Sequence, residues 1–456
     1  MADQYSVVTF GVAKELITPR EPMSLMGFDI VYGVPFTDIH DDLYAKALVL
    51  TDADGETVLL VTADLCFHDD SLTEALRDYA AERYGVKRSH LHMTYTHTHF
   101  GPIQKGYHKY FYTDSYEAFL LDRICAAIDR AYLNRRKGTL WFSYVSGDWN
   151  VNRRQLREDG SRKLAPNPND ERDPNLYLLR LNDEEGNMRV LATNFACHPS
   201  NLGQYTSVSS EYPGRLCARI EGEFYGCTAI FFQGFGSDAK LKIGMKTAAR
   251  FTTISYEECN DVASSMLERI KGKMITSDWQ QLPVRLDSRT FSLELPLEVY
   301  PKSFFEEDLK RYADGPGVPF APKPGTVQSR KENSRMMNWY FADDLVSRYE
   351  ELPDRLTLPC GMVRINPEFY ICSMGGEPSV NIQTVLRKAF PEVKLLCFGF
   401  ANDLAYIPSD KIIEEGGYEA EGSVIEYRLK GRIAPGVDEI FCRGYGAAMA
   451  DMANSL

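Results

Sequence analysis

The sequence predicts an α/β fold in which mixed β-sheets are surrounded by helices. Short apolar runs typical of buried strands alternate along the chain with longer stretches of helical periodicity. Several of these runs follow one another with only a turn between them, so the sheets are expected to contain antiparallel as well as parallel pairs. No linker or repeat divides the 456 residues. We therefore expect one catalytic domain over residues 1–456.

The individual elements follow from these patterns. The expected strands are 44–50, 56–65, 90–97, 137–147, 176–181, 188–197, 227–233, 358–366, 368–374 and 394–400. The clearest helices, each with a capping residue or acidic groups near its start, are 71–84, 114–133 and 256–271, and a further helix-like stretch covers 437–452. Residues 313–334 are rich in Pro, Gly, Lys and Arg, which predicts a long surface loop that we interpret as a candidate lid.

Composition narrows the class of function. With 44% hydrophobic residues the chain can bury a large core. Its net charge of −13 and pI near 5.3 oppose nonspecific binding to nucleic acid or to an anionic membrane, because both select basic surfaces. A small-molecule substrate fits better.

Targeting signals and cysteines indicate the compartment. The first residues lack the basic and apolar regions of a signal peptide, and no run approaches the ~20 apolar residues of a membrane span. The 10 cysteines are scattered without a Cys-x-x-Cys pair, which is typical of reduced core residues and argues against a cysteine zinc site. We expect a cytoplasmic protein without stable membrane association.

A histidine pair is the strongest local signal for chemistry. The apolar stretch 91–95 ends in Thr96-His97-Thr98-His99. Side chains in a strand point to alternate faces, so His97 and His99 are predicted to project the same way. Two imidazoles at one strand end suit a metal site or an acid/base pair, and the alternative is a polar strand rim.

Other segments supply further candidate ligands. His198 ends the apolar run 191–197 just before Pro199, which cannot extend a sheet ladder. Glu377 follows the strand-like stretch 369–374, and Pro378 is predicted to begin a helix. Two histidines and a glutamate are a workable zinc set that leaves a position open for water, although spacing alone does not bring them together.

A series of short motifs follows from the first strand to about residue 425. They are Ile17-Thr18-Pro19, Met26-Gly27-Phe28, Asp64, Thr96-His97-Thr98-His99, Asn152-Arg153, Cys197-His198-Pro199, Glu211-Tyr212-Pro213-Gly214, the loop from Gln233-Gly234 to Asp238, Gly376-Glu377-Pro378, Tyr406, and Tyr418-Glu419. This order resembles the catalytic domain of the neutral, non-lysosomal ceramidase family. Each motif is weak alone, but their shared order makes chance similarity improbable.

The resemblance implies specific roles and the fold of that catalytic domain. Carried over residue by residue, it implies the zinc ligands His97, His198, Glu377 and Tyr406. It also implies three residues that contact or polarise the scissile amide, namely His99, Arg153 and Tyr418. The family places a second functional tyrosine, followed by Glu, twelve residues after the tyrosine ligand, as Tyr418-Glu419 follow Tyr406 here.

The sequence departs from the family pattern in two places, and the first of them bears on the substrate. The family's glycine-rich loop carries Gly-Asp, one residue, then a serine that helps bind the amide, whereas this chain reads Gly236-Ser237-Asp238-Ala239-Lys240. Lys240 replaces a hydroxyl by a cation that only donates, so it becomes a candidate substrate-binding residue. The C-terminal sandwich domain of secreted members is expected to be absent.

These observations lead to a functional hypothesis with alternatives. The leading one is a zinc-dependent hydrolase of an amide or related acyl bond in a small polar or acidic substrate, ceramidase-like without being a true ceramidase. The second is a metal-dependent carbohydrate-active enzyme of lyase or glycosidase type, in which Lys240 and Arg153 bind the carboxylate of an acidic sugar. The third is a binding protein on the same fold that turns nothing over.

Overall fold

The computed structural model describes residues 4–105, 111–312, 327–402 and 404–454. The strands of this part are β1 Val8–Leu16, β2 Asp38–Ile39, β3 Tyr44–Thr51, β4 Thr57–Ala63, β5 Leu91–Tyr95, β6 Arg136–Ser146, β7 Asn150–Leu156, β8 Arg162–Asn167, β9 Asn175–Asp183, β10 Met188–Phe195, β11 Ser207–Val208, β12 Thr228–Gln233, β13 Ala239–Leu241, β14 Gln280–Leu282, β15 Asp287–Val299, β16 Arg355–Asn366, β17 Phe369–Met374, β18 Glu377–Pro378, β19 Lys394–Phe398, β20 Tyr406–Ile407 and β21 Gly431–Ile433. Its α-helices are α1 Asp70–Tyr84, α2 Asp114–Leu133, α3 Glu211–Glu223, α4 Tyr256–Met274, α5 Lys302–Arg311, α6 Val327–Arg348, α7 Val380–Ala389, α8 Asp410–Glu415 and α9 Val437–Ala453.

Two large mixed sheets dominate the described chain. The first has nine strands in the order β12-β10-β9-β6-β1-β3-β4-β5, with β14 added beside β6. The second has five strands in the order β19-β17-β16-β15-β21. Most neighbours are antiparallel, but β10 and β12, β4 and β5, and β17 and β19 pair in parallel. The predicted α/β fold with mixed sheets is confirmed.

The two sheets pack face to face through a shared apolar core. Leu48 and Leu60 of the nine-stranded sheet belong to the same buried cluster as Val363 and Ile371 of the five-stranded sheet. Helices α1 to α4 cover the outer face of the larger sheet, while α7 and α9 cover the outer face of the smaller one. The fold therefore has four layers in the order helix, sheet, sheet and helix. The loops at the strand ends are free to carry a site.

Local sequence signals account for the helix ends. Ser255 caps α4 by accepting a hydrogen bond from the backbone of Glu258, whose side chain accepts in return from the Ser255 backbone. Asp69 caps α1, and Gly85 ends that helix in the left-handed conformation with φ 69°. The helices predicted near 71, 114, 256 and 437 are confirmed to within a few residues.

The predicted strands are confirmed, but two other predictions need correction. Residues 327–334 are not loop, because α6 begins at Val327, where the Pro- and Gly-rich composition ends; residues 313–326 lie outside the described part. Pro378 does not begin a helix, since Glu377–Pro378 form strand β18 and α7 begins at Val380. Within the described chain, no helix has the length and apolar character needed to cross a bilayer.

Candidate metal centre

His97 lies just beyond strand β5 in an unusual backbone conformation. Its φ is 64°, which only a few per cent of non-glycine residues adopt, and its backbone N–H donates to Leu65 O at 2.9 Å. Its Nδ1 donates to the carbonyl oxygen of Cys66 at 2.9 Å, which leaves Nε2 with a free lone pair. The ring of Phe400, itself at φ 58°, packs 4.3 Å from the imidazole. Local backbone strain thus aims Nε2 into the site.

The Nε2 of His99 lies next to that of His97, but a different backbone carbonyl orients its ring. Its Nδ1 donates to Gly27 O at 2.8 Å, and its Nε2 lies 3.1 Å from the Nε2 of His97. Gly27 has φ 111°, and a Cβ there would lie 2.5 Å from the Cβ of His99. Because β5 ends at Tyr95, alternation along a strand does not explain why the two rings converge. The rings are oriented instead by the hydrogen bonds from their Nδ1 atoms to the carbonyl oxygens of Cys66 and Gly27.

His198 completes a triangle of nitrogens. It follows β10, and its backbone N–H donates to Ala239 O at 2.9 Å. Its Nε2 lies 3.0 Å from the Nε2 atoms of both His97 and His99. Among the described residues its Nδ1 has no hydrogen-bond partner.

Glu377 brings a carboxylate to this triangle. Its Oε2 lies 3.5 Å from the Nε2 of His97 and 3.7 Å from that of His198, and it has no hydrogen-bond partner in the described part of the chain. Its Oε1 accepts a hydrogen bond from the hydroxyl of Tyr427, which orients the carboxylate. Glu377 is 3% exposed, so an unpaired oxygen there is costly unless a cation meets it.

The donor set fits a metal ion. When neutral, His97 and His99 each carry their proton on Nδ1, so their facing Nε2 atoms are two lone pairs that cannot hydrogen-bond to each other. Burial, together with the adjacent His97, lowers the pKa of His99 and of His198 well below the usual value, which disfavours a shared proton. Converging imidazole nitrogens and a free carboxylate oxygen are the ligand types that zinc takes.

The two predicted tyrosines lie beside this centre. Tyr406 pairs with Glu377 across the parallel strands β18 and β20, so both side chains project to one face. The ring of Tyr418 lies 5.2 Å from that of Tyr406, and its hydroxyl donates to Glu426 at 2.6 Å. Burial raises the pKa of both phenols well above 10, so each hydroxyl keeps its proton while its oxygen still offers lone pairs.

Arg153 belongs to a buried ion-pair network at the site's edge. Its Nε donates to Glu419 at 2.9 Å, and the neighbouring Arg154 donates to the other Glu419 oxygen at 2.6 Å. The guanidinium carbon of Arg153 lies 5.4 Å from the ring centre of Tyr406. Its Nη2 is buried without a hydrogen-bond partner among the described residues. One edge of the guanidinium thus remains available to a ligand.

Lys240 is held near the histidines. Its Nζ donates to the carbonyl oxygen of Ser200 at 3.0 Å, and the ring of Phe251 lies 5.7 Å from it. Burial and the charge of Arg153 lower the pKa of Lys240 to about 8. Asp238, two residues before Lys240, is not its partner, because that carboxylate accepts from the backbone N–H of Val380.

All eight residues selected from the sequence thus lie in one region, and three of them, His97, His198 and Glu377, have donor atoms within 4.8 Å of one another. His99 adjoins this set through its Nε2, which lies 3.1 and 3.0 Å from those of His97 and His198. Sequence reasoning missed Tyr427, Glu426 and Phe400, whose contacts are visible only in three dimensions. Their signal in the sequence is no stronger than that of other apolar or acidic residues.

Comparison with known proteins identifies the family. The sequence model described as neutral/alkaline non-lysosomal ceramidase, N-terminal, matches residues 9–260. This chain belongs to that family. Comparison with curated protein sequences finds no match.

Solved ceramidase structures share the fold. The crystal structure of neutral ceramidase from Pseudomonas aeruginosa superposes with a TM-score of 0.72 at 17% identity, covering 98% of this chain and 75% of that one. A ceramidase complexed with C2 superposes with a TM-score of 0.73 at 16% identity, covering 98% of this chain and 76% of that one. The resemblance predicted from motif order, and the ceramidase-like fold, are both confirmed.

Proposed function

We propose that this protein is a zinc-dependent hydrolase of an amide or related acyl bond, acting on a small polar or acidic substrate. The observation that carries the proposal is the convergence of three imidazole Nε2 atoms, 3.0 to 3.1 Å apart, two of which lie 3.5 and 3.7 Å from a carboxylate oxygen of Glu377. Membership of a ceramidase family supports hydrolytic chemistry at this point. A zinc ion held there would polarise a carbonyl group and lower the pKa of water.

The ligand assignment follows the family resemblance, which implies two histidines, a glutamate and a tyrosine. We assign His97, His198, Glu377 and Tyr406 as ligands, with Glu377 held in place by Tyr427. His99 then remains as the third imidazole of the cluster, with its Nδ1 occupied by Gly27 O. Its Nε2 is able to accept a proton from the nucleophile and return it to the leaving nitrogen.

Two groups are suited to stabilise negative charge on the reacting oxygen. Tyr418 carries a protonated hydroxyl beside Tyr406, and Arg153 has an unengaged Nη2 in the described structure. Donors buried away from water act strongly on charge that develops in the transition state, and they need no reorganisation during the reaction. Glu419 fixes the Arg153 side chain, so the donor is already oriented before substrate binds.

The proposal is tested by metal content. His97→Ala and His198→Ala each remove one nitrogen donor, so we expect both variants to lose zinc that the wild-type chain holds at about one ion per chain. His40→Ala is the matched control, because His40 stacks on Tyr256, away from the cluster, and its loss should leave zinc unchanged. Elemental analysis of the folded proteins measures the outcome. Undiminished zinc in both site variants would contradict the ligand assignment.

A further inference from the structure

Lys240 lies in a local sheet between the proposed ligand His198 and the strand of Arg153. It pairs with Val151 across the antiparallel strands β13 and β7, and on its other side it forms a parallel bridge with His198. Residues paired across a ladder project to the same face, as do residues two apart on one strand. Lys240 and His198 therefore share a face. Arg153 lies where the register of β7 shifts, and its charge lowers the pKa of both Lys240 and His198, so it is close to them.

The carboxylate nearest in sequence does not neutralise Lys240. Asp238 accepts from the backbone N–H of Val380 at 2.8 Å and from the side chain of Asn152 at 3.2 Å. In the described residues the hydrogen-bond acceptor of the ammonium is the neutral carbonyl of Ser200. Among the described residues the ammonium makes no salt bridge, although the charge of Glu211 acts on it through space.

Glu211 is a buried carboxylate whose charge favours the charged form of Lys240, but neutral donors already hold its oxygens. Glu211 accepts from the backbone and side-chain nitrogens of Asn201, both at 2.8 Å, and from the backbone N–H of Tyr212 at 2.7 Å. On the opposite flank, Arg153 presents an Nη2 that is buried and unpartnered among the described residues. Two neighbouring cations, one of them with an unused donor, make an anion-binding site beside the metal centre.

We propose that Lys240 binds a carboxylate of the substrate and that this carboxylate is carried within a few bonds of the scissile bond. The inference rests on the proposed function, since it places the scissile bond at the histidine cluster. Neighbouring strands lie about 4.8 Å apart, so the backbone of Lys240 is one strand spacing from that of His198. An anion at the far end of a long chain would not meet Lys240 while its amide meets the cluster.

The same recognition chemistry is present in two kinds of substrate. An N-acylated α-amino acid carries its carboxylate one carbon from the amide nitrogen, and a uronic acid carries it on the sugar ring next to a cleavable linkage. Arg153 adds positive potential and a donor in either case. The test therefore includes both kinds, and each has a neutral counterpart of nearly the same shape.

The experiment compares three forms of the full-length, zinc-loaded chain: wild type, Lys240→Ser and Lys242→Ser. Lys242 is the matched control because it lies two residues on, is 36% exposed at its side chain, and pairs with Asp148 at the surface. The probes are N-acetylated amino acids, the corresponding carboxamides, N-acetylsphingosine and a uronic-acid disaccharide with its methyl ester. Released amine, released sugar and incorporation of labelled water are measured.

We expect the wild type and Lys242→Ser to prefer the carboxylate probes over their neutral counterparts, and Lys240→Ser to lose about 10- to 100-fold of that preference. Zinc content should not change. If the wild type hydrolyses the acid and its carboxamide equally, or Lys240→Ser affects both equally, the hydrolase proposal stands and the carboxylate inference is overturned. Cleavage of the disaccharide without incorporation of water would retain the carboxylate inference and replace hydrolysis by lyase chemistry.

A binding measurement keeps the two proposals separable when no probe is cleaved. Calorimetric titration of N-acetylated amino acids and of the uronic-acid disaccharide then decides the matter. Binding that weakens about tenfold or more in Lys240→Ser, but not in Lys242→Ser, upholds the inference although hydrolysis has failed. Equal binding by the three forms, or no binding by the wild type, overturns it.

Discussion

Gly27 is the residue whose replacement should damage the site most specifically. A Cβ at Gly27 would lie 2.5 Å from both the Cβ and the Cγ of His99, whereas ordinary contacts begin near 3.4 Å. Gly27→Ala therefore requires His99 to move by about 1 Å, away from the carbonyl that orients its Nδ1. A misplacement of that size at a reacting group costs about 10²-fold in rate, so we expect kcat to fall by about that factor.

The control separates this clash from backbone strain. Gly27 and Gly436 have φ of 111° and 99°, but a Cβ at Gly436 meets nothing within 4 Å. Gly436→Ala should therefore cost about 1–2 kcal/mol of stability from backbone strain alone and keep full activity, whereas Gly27→Ala carries that strain and the clash. Thermal unfolding and kcat are measured for both on the substrate that the wild type hydrolyses. Equal kcat in the two variants would refute the assignment of a proton-transfer role to His99.

Two further predictions concern Tyr418 and His68. Tyr418→Phe should keep zinc and lose about 10²-fold in kcat, because it removes an oxyanion donor and no ligand; an unchanged kcat would exclude it from the mechanism. Burial opposes a charged His68, but its hydrogen bonds to Asp69 and Glu117, at 3.1 and 2.7 Å, raise its pKa to about 9. The pKa of His68 in the folded protein exceeds the unfolded value of about 6.5, so the charged side chain stabilises the folded state by up to about 3 kcal/mol. This stabilisation is full below pH 6.5 and is lost as the pH rises through 9. Urea unfolding of wild type and His68→Gln at several pH values measures it, and a pH-independent difference would contradict it.

The fold was predictable wherever buried strands are apolar. Strands β3, β4 and β10 are almost wholly buried and mostly apolar, so their hydrophobicity located them. Strand β7 escaped prediction because its buried positions include Arg153 and Arg154, whose charges Glu419 compensates from a distant segment. Only tertiary contacts make a charged strand stable, so no local pattern reveals it.

The site was predictable in its members but not in its geometry. Motif order selected His97, His198 and Glu377, yet nothing in their spacing shows that their donor atoms lie within 3.7 Å of one another. The role of Tyr427 depends on one hydroxyl contact with Glu377, which joins residues 50 positions apart. Such contacts follow from the packing of whole sheets, which sequence periodicity does not specify.

The proposed ligands come from both sides of the point at which the chain leaves the first large sheet for the second. Every strand of the nine-stranded sheet lies before β15 and every strand of the five-stranded sheet lies from β15 onward, so the chain passes from one large sheet to the other near Pro283. His97 and His198 come from the first part, whereas Glu377 and Tyr406 come from the second. A cation bound by all four residues would cross-link the two parts of the chain. Cutting the chain in the loop before Asp287 would therefore give two fragments with half a coordination sphere each, and metal affinity would report directly on whether they had reassembled.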